Sequence, residues 1–228
     1  MKTDRVGTGS PALDDLLGGG LERRAITQIY GEPASGKSTL CLMASVAALR
    51  AGNSVIYIDT EGFSVERFSQ IAGGDAGALA DRLYLFEPLD FAQQGTMIAD
   101  SEGLLKKNGH APVGLLVMDS ATALYRTELD LGREALRKLS HHMIKLLGLA
   151  KKYDIPALIT NQIYMDVERE QVAGLGGTAL EHLSKAIIRL EKKDGFRRAT
   201  LRKHRSRPEG LSFDFAITED GIRPIERR

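Results

Sequence analysis

Eight consecutive residues, Gly31 to Ser38, have the types and spacing needed to bind phosphate groups. They match the pattern G-x-x-x-x-G-K-[ST] at every fixed position. In this pattern the glycines let backbone N–H groups point inward, Lys37 reaches the β- and γ-phosphates, and the Ser38 hydroxyl holds Mg²⁺. The sequence therefore predicts a site for a nucleoside triphosphate. The predicted binding set is Gly31, Glu32, Pro33, Ala34, Ser35, Gly36, Lys37, Ser38 and Thr39.

The residues on either side of this loop predict the strand and the helix that position it. Residues 26–30 form a short apolar run typical of a buried strand, and residues 39–50 are rich in Ala and Leu, which favours a helix. The N-terminus of that helix would add positive potential at the phosphates. A purely structural glycine-rich turn is the alternative, and the strand–loop–helix context argues against it.

Two further polar residues follow predicted buried strands, at the ends where open parallel sheets bind ligands. Asp119 follows the apolar run 113–118 and fits the strand-end aspartate that holds Mg²⁺ through water. Gln162 follows the run 155–160 and could sense the γ-phosphate and signal its presence to the loop that comes next. An ordinary surface amide is the alternative interpretation of Gln162.

The segment 54–62 reads as a strand that ends in two carboxylates, Asp59 and Glu61. Hydrolysis needs a carboxylate near the γ-phosphate to polarise the attacking water. We favour Glu61 for this role because it lies further out toward the expected nucleotide, and Asp59 on the same face competes for it.

The last third of the chain carries a dense group of basic residues. Residues 189–207 contain nine Lys or Arg and two acidic residues. Three interpretations stay open: a surface for a DNA backbone, cations that reach a neighbouring subunit's nucleotide, or the charged protection common on edge strands. The residues predicted to contact DNA or a subunit are Arg197, Arg198, Arg202, Lys203, Arg205 and Arg207.

The apolar pattern predicts an α/β fold. Apolar runs without polar alternation, separated by amphipathic segments, indicate a mostly parallel central sheet covered by helices on both faces. After Gly177 the pattern changes to an antiparallel extension built on a hairpin. Strands are predicted over residues 26–30, 54–62, 83–86, 113–118, 155–160, 185–191, 196–203 and 211–217. Helices are predicted from Ser10, and over residues 39–50, 64–72, 90–108, 129–153 and 178–183, the last with a Thr178/Glu181 capping box.

The bulk composition indicates one globular domain and excludes several classes of protein. The chain has 228 residues, 43% of them hydrophobic and 27% charged, and a net charge of +1. Cys41 is the sole cysteine, so no disulfide within the chain is possible. No apolar run approaches the ~18 residues of a membrane span, and the first residues do not resemble a signal peptide. We therefore expect a soluble protein of a reducing, intracellular compartment.

Several separated blocks together resemble the ATPase core of the RecA/RadA recombinase family, and most closely its short archaeal paralogues, the RadB group. The resemblance covers nearly the whole chain, and several blocks in the right order are more specific than any one motif. The blocks are 8–20, 31–39, 57–62, 116–120, 159–162, 175–177 and 207–210. In addition, Lys203-His204-Arg205 resembles the basic motif that the RadB group carries near its C-terminus.

The resemblance implies a RecA-like fold that uses ATP and Mg²⁺, with Glu61 as the catalytic carboxylate, Asp119 on the magnesium side and Gln162 as the nucleotide sensor. It implies an accessory protein of homologous recombination and DNA repair that binds DNA and hydrolyses ATP weakly. The implied partners are DNA, the main archaeal recombinase, a junction-cleaving nuclease and further copies of the chain. The implied location is the cytoplasm, in association with the nucleoid.

Two departures from the family pattern leave alternatives open. One is the short segment between Gln162 and Gly174, where recombinases place a long DNA-binding loop, and the other lies at the N-terminus. About seven residues precede the core, so we expect neither the N-terminal DNA-binding domain nor the docking motif of full archaeal recombinases, and no autonomous strand exchange. A DNA-stimulated, filament-forming recombinase is the first alternative. A ring-forming, KaiC-like signalling ATPase is the second, although such proteins usually carry paired glutamates where this chain has Asp59-Thr60-Glu61.

Overall fold

The computed structural model describes residues 5–106, 111–166 and 171–225. The strands are β1 (Arg5–Val6), β2 (Leu21–Glu22), β3 (Ile26–Gly31), β4 (Ser54–Asp59), β5 (Leu83–Phe86), β6 (Val113–Asp119), β7 (Ala157–Asn161), β8 (Ile163–Asp166), β9 (Gln171–Gly174), β10 (Ser184–Lys193), β11 (Phe196–Lys203), β12 (Ser212–Thr218) and β13 (Gly221–Ile225). The α-helices are α1 (Pro11–Leu16), α2 (Lys37–Arg50), α3 (Val65–Ala72), α4 (Ala76–Ala80), α5 (Phe91–Lys106), α6 (Ala123–Arg126), α7 (Arg133–Lys152) and α8 (Gly177–Leu183).

The central sheet has nine strands in the order β13-β12-β11-β10-β3-β7-β6-β4-β5. Every neighbouring pair from β10 to β5 is parallel, whereas β11, β12 and β13 are added in antiparallel fashion. Strands β3, β4 and β7 are buried along their whole length, which explains why their sequences show no polar alternation. The predicted mostly parallel sheet with an antiparallel extension is confirmed.

Helices cover both faces of this sheet and enclose two cores. One core packs α1, α2, α3 and α4 against one face, with the fully buried Leu40, Tyr57 and Phe215 among its members. The other packs α5, α6, α7 and α8 against the opposite face, around Ile58 and Met143. No helix in the described ranges is long and apolar enough to cross a membrane.

The helix predicted over residues 129–153 begins four residues later than expected. Residues Leu129–Leu131 form a 3-10 turn, and Gly132, with a φ of 52°, separates this turn from α7. Only a residue that tolerates positive φ can make this break, and a helical hydrophobic pattern does not reveal it. On the side of α7 that faces the sheet, Leu139 and Met143 are fully buried, while Leu136 and Leu147 are half-buried.

The capping box predicted at Thr178 and Glu181 is wrong. Helix α8 begins at Gly177, and its N-cap is Gly176 in the left-handed conformation, with no side-chain cap. A Cβ atom at Gly176 would lie 2.8 Å from the Leu180 side chain and 2.9 Å from the Leu139 side chain. This glycine therefore also allows the two leucines to pack close to the backbone. The backbone conformation of the glycine pair therefore determines where the helix starts.

The loop predicted to follow Gln162 contains paired strands. Strand β8 pairs in antiparallel fashion with β9, from Ile163 opposite Gly174 to Asp166 opposite Gln171. Residues 167–170 lie outside the described part of the chain, as do residues 107–108 at the end of the helix predicted over 90–108. The C-terminal strand β13 was not predicted, because its sequence contains a proline and little alternation.

Candidate functional site

The phosphate loop lies between β3 and α2, as predicted. Gly31 ends β3, and a Cβ there would come within 2.3 Å of the Leu190 carbonyl oxygen on the neighbouring strand, so glycine is required. Gly36 caps α2 with a φ of 104° and provides no side-chain hydrogen bond. The first backbone N–H groups of α2 are thus not satisfied by a side-chain cap, and they form an anion-binding end of the helix.

Lys37 lies at the base of this loop with its side chain almost entirely buried. Its ammonium group donates hydrogen bonds to the carbonyl oxygens of Gly31 and Glu32, both at 2.9 Å. Burial lowers the pKa of Lys37, and the nearby carboxylates of Glu61 and Asp119 oppose that effect. The loop therefore places one cation where it faces two carboxylates from neighbouring strand ends.

Two serines of the loop fit a phosphate group with a bound metal ion. The Ser35 hydroxyl is buried without a hydrogen-bond partner among the described residues, as expected for a group whose partner is a bound ligand. The exposed Ser38 hydroxyl donates to Asp119. A hydroxyl and a carboxylate are oxygen ligands of the kind that Mg²⁺ prefers. Within the described ranges, no group of three or more His, Cys, Asp or Glu side chains is arranged so that it could hold a metal ion by itself.

Asp119 ends β6 and is held by hydroxyl groups from both neighbouring strands. Its Oδ2 accepts a hydrogen bond from the Tyr57 hydroxyl at 2.9 Å, and its Oδ1 accepts one from Thr160 at 2.5 Å. Burial raises the pKa of Asp119, whereas the hydrogen bonds from Thr160, Ser38 and Tyr57 lower it. The carboxylate is therefore oriented before any metal arrives. Our sequence reasoning missed Tyr57 and Thr160, because only the sheet order reveals that they flank Asp119.

Glu61 and Gln162 meet above the ends of β4 and β7. The Glu61 Oε1 atom accepts hydrogen bonds from the Ser120 hydroxyl and from the Gln162 amide nitrogen, each at 2.8 Å. A carboxylate can only accept, so the NH₂ group of Gln162 must face it. The Gln162 Oε1 atom is buried without a described partner. The structure thus brings together two residues that lie about a hundred positions apart, and Ser120 is a third that the sequence did not indicate.

Asp59 has a different environment from Glu61. It is 5% exposed, and its Oδ2 accepts a hydrogen bond from the backbone N–H of Gly62 at 2.7 Å. Burial raises the pKa of Asp59 to about 6, with the charge of Asp119 adding to the rise and the backbone hydrogen bonds from Gly62 and Glu61 opposing it. Asp59 therefore fixes the turn that carries Glu61 rather than projecting outward beside it.

A buried hydrogen-bond network links this site to the glycines before α8. Asn161 accepts a hydrogen bond from Thr122 and donates one to the Leu175 carbonyl oxygen, both at 2.8 Å. The backbone N–H of Gln162 donates to the Thr122 hydroxyl at 3.1 Å, and the backbone N–H of Leu175 donates to the Gln162 carbonyl oxygen at 2.8 Å. Gln162 therefore touches Glu61 with its side chain and the end of the β8–β9 hairpin with its backbone.

The six basic residues predicted as one surface are divided between the two ends of the sheet. Strand β11 runs antiparallel to β10, so its first residues lie at the end that holds the phosphate loop and its last residues at the other end. At the first end Arg197 donates to the Ala34 carbonyl oxygen at 3.3 Å. Arg198 forms a two-point ion pair with Asp214, at 2.8 and 3.0 Å.

The remaining four lie toward the far end of the sheet and have partners within the chain. Arg202 lies 3.4 Å from Glu209, Arg205 lies 3.0 Å from Glu22, and Arg207 lies 3.9 Å from Asp15. The Lys203 ammonium group donates to the Glu181 carbonyl oxygen at 2.5 Å. The structure thus brings the phosphate-loop residues together with Asp119, Glu61 and Gln162, but it does not gather the six basic residues into one patch.

Comparison with known proteins agrees with this geometry. The Rad51 family model matches residues 2–225. The "DNA repair and recombination protein RadB" of Methanoculleus marisnigri is 90% identical over 225 residues, which cover 99% of this chain and all of that protein. Proteins with the same name from Methanococcoides burtonii and Archaeoglobus fulgidus are 46% and 44% identical, over 92% and 98% of this chain and 94% and 100% of theirs. The chain therefore belongs to the Rad51 family and, within it, to the archaeal RadB group.

Proposed function

We propose that this protein is an ATP- and DNA-binding accessory protein of homologous recombination and DNA repair that hydrolyses ATP weakly. The observation that carries the proposal is the meeting of Glu61 and Gln162, hydrogen-bonded at 2.8 Å, beside the phosphate loop and Asp119. Family membership supports the repair function, because the RadB relatives are named for DNA repair and recombination.

In the proposed site the phosphate loop binds the triphosphate through its backbone N–H groups and through Lys37. When bound, Mg²⁺ would neutralise charge on the phosphates, with Ser38 as a direct ligand and Asp119 acting through water. The hydrogen bonds from Tyr57 and Thr160 keep the Asp119 carboxylate oriented. These residues supply positioning and electrostatic stabilisation, which dominate catalysis of phosphoryl transfer.

Glu61 is the proposed group that polarises the attacking water, and Gln162 the proposed sensor of the γ-phosphate. Ser120 and Gln162 both donate to the same oxygen of Glu61, so the other oxygen has neither of these partners. The oxygen that accepts these two hydrogen bonds is less available to accept a proton from the attacking water. That environment agrees with slow hydrolysis.

The proposed partners are DNA, the main archaeal recombinase, a junction-cleaving nuclease and further copies of this chain. DNA binding is supported by the family relationship. The proposed location is the cytoplasm, at the nucleoid, where such partners occur.

The test of nucleotide use compares the wild type with Lys37→Ala in equilibrium binding of a fluorescent ATP analogue, with Mg²⁺ present. We expect Lys37→Ala to lose measurable binding while retaining its secondary structure. Binding equal to that of the wild type would overturn the proposed site.

A second candidate function is the filament-forming recombinase. The observation in its favour is that the phosphate loop, Glu61, Asp119 and Gln162 are all present. Electron microscopy with ATP and single-stranded DNA distinguishes the two: we expect no regular filaments. Native mass measurements test the other alternative, the ring-forming signalling ATPase, because a ring would have the mass of several copies of the chain.

A further inference from the structure

A cleft of about 440 Å³ opens at the end of the sheet opposite to the phosphate loop. All of its described lining residues are charged, five of them basic and one acidic: Arg5, Glu22, Arg23, Arg24, Lys151 and Arg205. Arg24 lies just before β3, whose carboxyl end carries the phosphate loop, so the length of that strand, ~20 Å, separates the two sites. The fold gathers these residues from distant parts of the sequence.

Two of the cations are free to meet a ligand. Arg24 and Lys151 are exposed, and within the described ranges neither side chain has a hydrogen bond or an ion pair. Arg205 pairs with Glu22 at 3.0 Å at the edge of the cleft. The one carboxylate of the lining therefore leaves a strong excess of positive charge.

Arg5 and Arg23 are held in place by backbone carbonyl groups. Arg5 donates to the Leu17 carbonyl oxygen at 2.7 Å, and Arg23 donates to the Asp154 carbonyl oxygen, also at 2.7 Å. Carbonyl groups orient these guanidinium groups without neutralising them. The pKa of nearby His204 is lowered by burial and by the charges of Arg5, Arg207 and Arg205, and the carboxylate of Glu22 opposes this effect.

We propose that this cleft binds the phosphate backbone of DNA. The proposal rests on the DNA binding proposed above and specifies its surface. A site for a partner protein normally has an apolar or aromatic centre, whereas every described lining residue here is charged. A set of fixed and exposed cations, with no apolar or aromatic side chain among the described lining residues, suits a sugar–phosphate chain, and arginine forks match phosphate oxygens.

The cleft differs from the surface that the linear sequence indicated. Only Arg205 belongs to both sets. The contacts described above hold Arg198 and Arg202 against carboxylates, whereas Arg24 and Lys151 lie outside the basic C-terminal run.

The test measures binding of a fluorescein-labelled single-stranded oligonucleotide across a salt series. The variant Arg24→Gln/Lys151→Gln removes the two free cations and leaves the held arginines in place. The matched control Lys145→Gln/Arg223→Gln removes the same charge from exposed positions outside the cleft. Since each phosphate contact contributes about 0.7 to the salt slope of single-stranded DNA, we expect the cleft variant to lower the slope by about 1.4 and to weaken binding about tenfold or more near 0.1 M salt. The control should bind like the wild type.

A second variant tests the proposal in the opposite direction. Glu22→Gln removes the acidic lining residue and releases Arg205, so we expect tighter DNA binding than in the wild type. A loss of folding could weaken binding in any variant, but it cannot strengthen binding.

Three outcomes would overturn the proposal. If the cleft variant and the control bind alike, DNA lies elsewhere and the proposed DNA-binding function stands. If the cleft variant changes the native mass in the presence of ATP without changing the salt slope, the cleft is a subunit interface. If the wild type shows no DNA affinity at any salt concentration, the proposed DNA-binding function fails as well.

Discussion

At the scale of single residues, the structure separates the two carboxylates that follow β4. Asp59 is buried, and its carboxylate accepts a hydrogen bond from the backbone N–H of Gly62. Its role is therefore to hold the conformation of the turn. Glu61 is exposed and contacts Gln162, the residue proposed to sense the γ-phosphate. This difference supports the assignment of Glu61, rather than Asp59, as the group that polarises water.

We expect Glu61→Gln to lower the rate of ATP hydrolysis by about a hundredfold or more, because general-base catalysis contributes 10²–10⁴-fold in rate. ATP affinity should stay within about threefold of the wild type, since Glu61 is not needed to hold the phosphates. Phosphate release and equilibrium binding of ATP measure the two effects. A hydrolysis rate that survives in Glu61→Gln but is lost in Asp59→Asn would reverse the assignment.

At the scale of elements, the packing of α5 on α7 depends on a buried histidine. His142 of α7 is 7% exposed and packs against Phe91, with ring centroids 4.6 Å apart and the ring planes tilted by 59°. A Cβ at Gly95 would come within 2.4 Å of the His142 ring, so the glycine lets the two helices approach. Burial lowers the pKa of His142 to about 4, with nearby positive charges adding to the effect.

This buried histidine should make stability depend on pH. The folded state prefers neutral His142, so its contribution is complete above the unfolded pKa near 6.5 and is lost as the pH falls toward 4. We expect the wild type to lose roughly 3 kcal/mol of unfolding free energy over this range relative to His142→Gln. Urea denaturation of the wild type and of His142→Gln, both without added Mg²⁺, from pH 7 to pH 4 measures the difference. Parallel pH profiles for the two proteins would contradict it.

A second element contact fastens the C-terminal hairpin to the segment that follows Glu61. Arg67 on α3 donates to the carbonyl oxygens of Thr218 and Glu219, both at 2.7 Å, and to that of Gly221 at 3.1 Å. The β12–β13 turn is thereby fixed to the helix that follows Glu61, the proposed catalytic carboxylate. Arginine suits this position because its planar fork can donate several hydrogen bonds at once.

We expect Arg67→Ala to lower the unfolding free energy by about 2 kcal/mol, since several charge-assisted hydrogen bonds are lost together. Arg67→Lys should lose a smaller part, because an ammonium group keeps the charge but not the fork geometry. Chemical denaturation at neutral pH compares the three proteins. Equal stability of Arg67→Ala and the wild type would show that water replaces these bonds without cost.

At the scale of the whole molecule, the proposed nucleotide site and the basic cleft lie at opposite ends of the sheet. Gln162 connects the first of these sites to the β8–β9 hairpin, through its own carbonyl oxygen and through Thr122 and Asn161. In our hypothesis ATP orders this segment and the basic C-terminal strands, so DNA affinity depends on the nucleotide state.

We therefore expect ATP to change DNA affinity at fixed salt by about fivefold or more relative to no nucleotide, the usual size of coupling between two sites. Gln162→Ala should remove this dependence while ATP still binds. Fluorescence anisotropy with ATP, with ADP and without nucleotide measures the coupling. Identical affinities of the wild type in the three states would refute the hypothesis.

The sequence by itself determined the parts of this protein that depend on local order along the chain. The phosphate loop needs glycines, a lysine and a serine at fixed spacing between a strand and a helix, and Gly31, Gly36, Lys37 and Ser38 show all of this directly. The buried strands and their parallel arrangement follow from apolar runs of strand length. Asp119, Glu61 and Gln162 could be predicted because each follows such a run.

Only the tertiary structure decided which distant side chains meet. The contacts of Tyr57 and Thr160 with Asp119, and of Ser120 with Glu61, depend on the order of strands in the sheet, which a single sequence does not encode in any local pattern. Likewise, the basic run looks continuous in the sequence, but β11 carries it from one end of the sheet to the other. The fold divides those charges and assembles the basic cleft from residues that lie far apart in the chain.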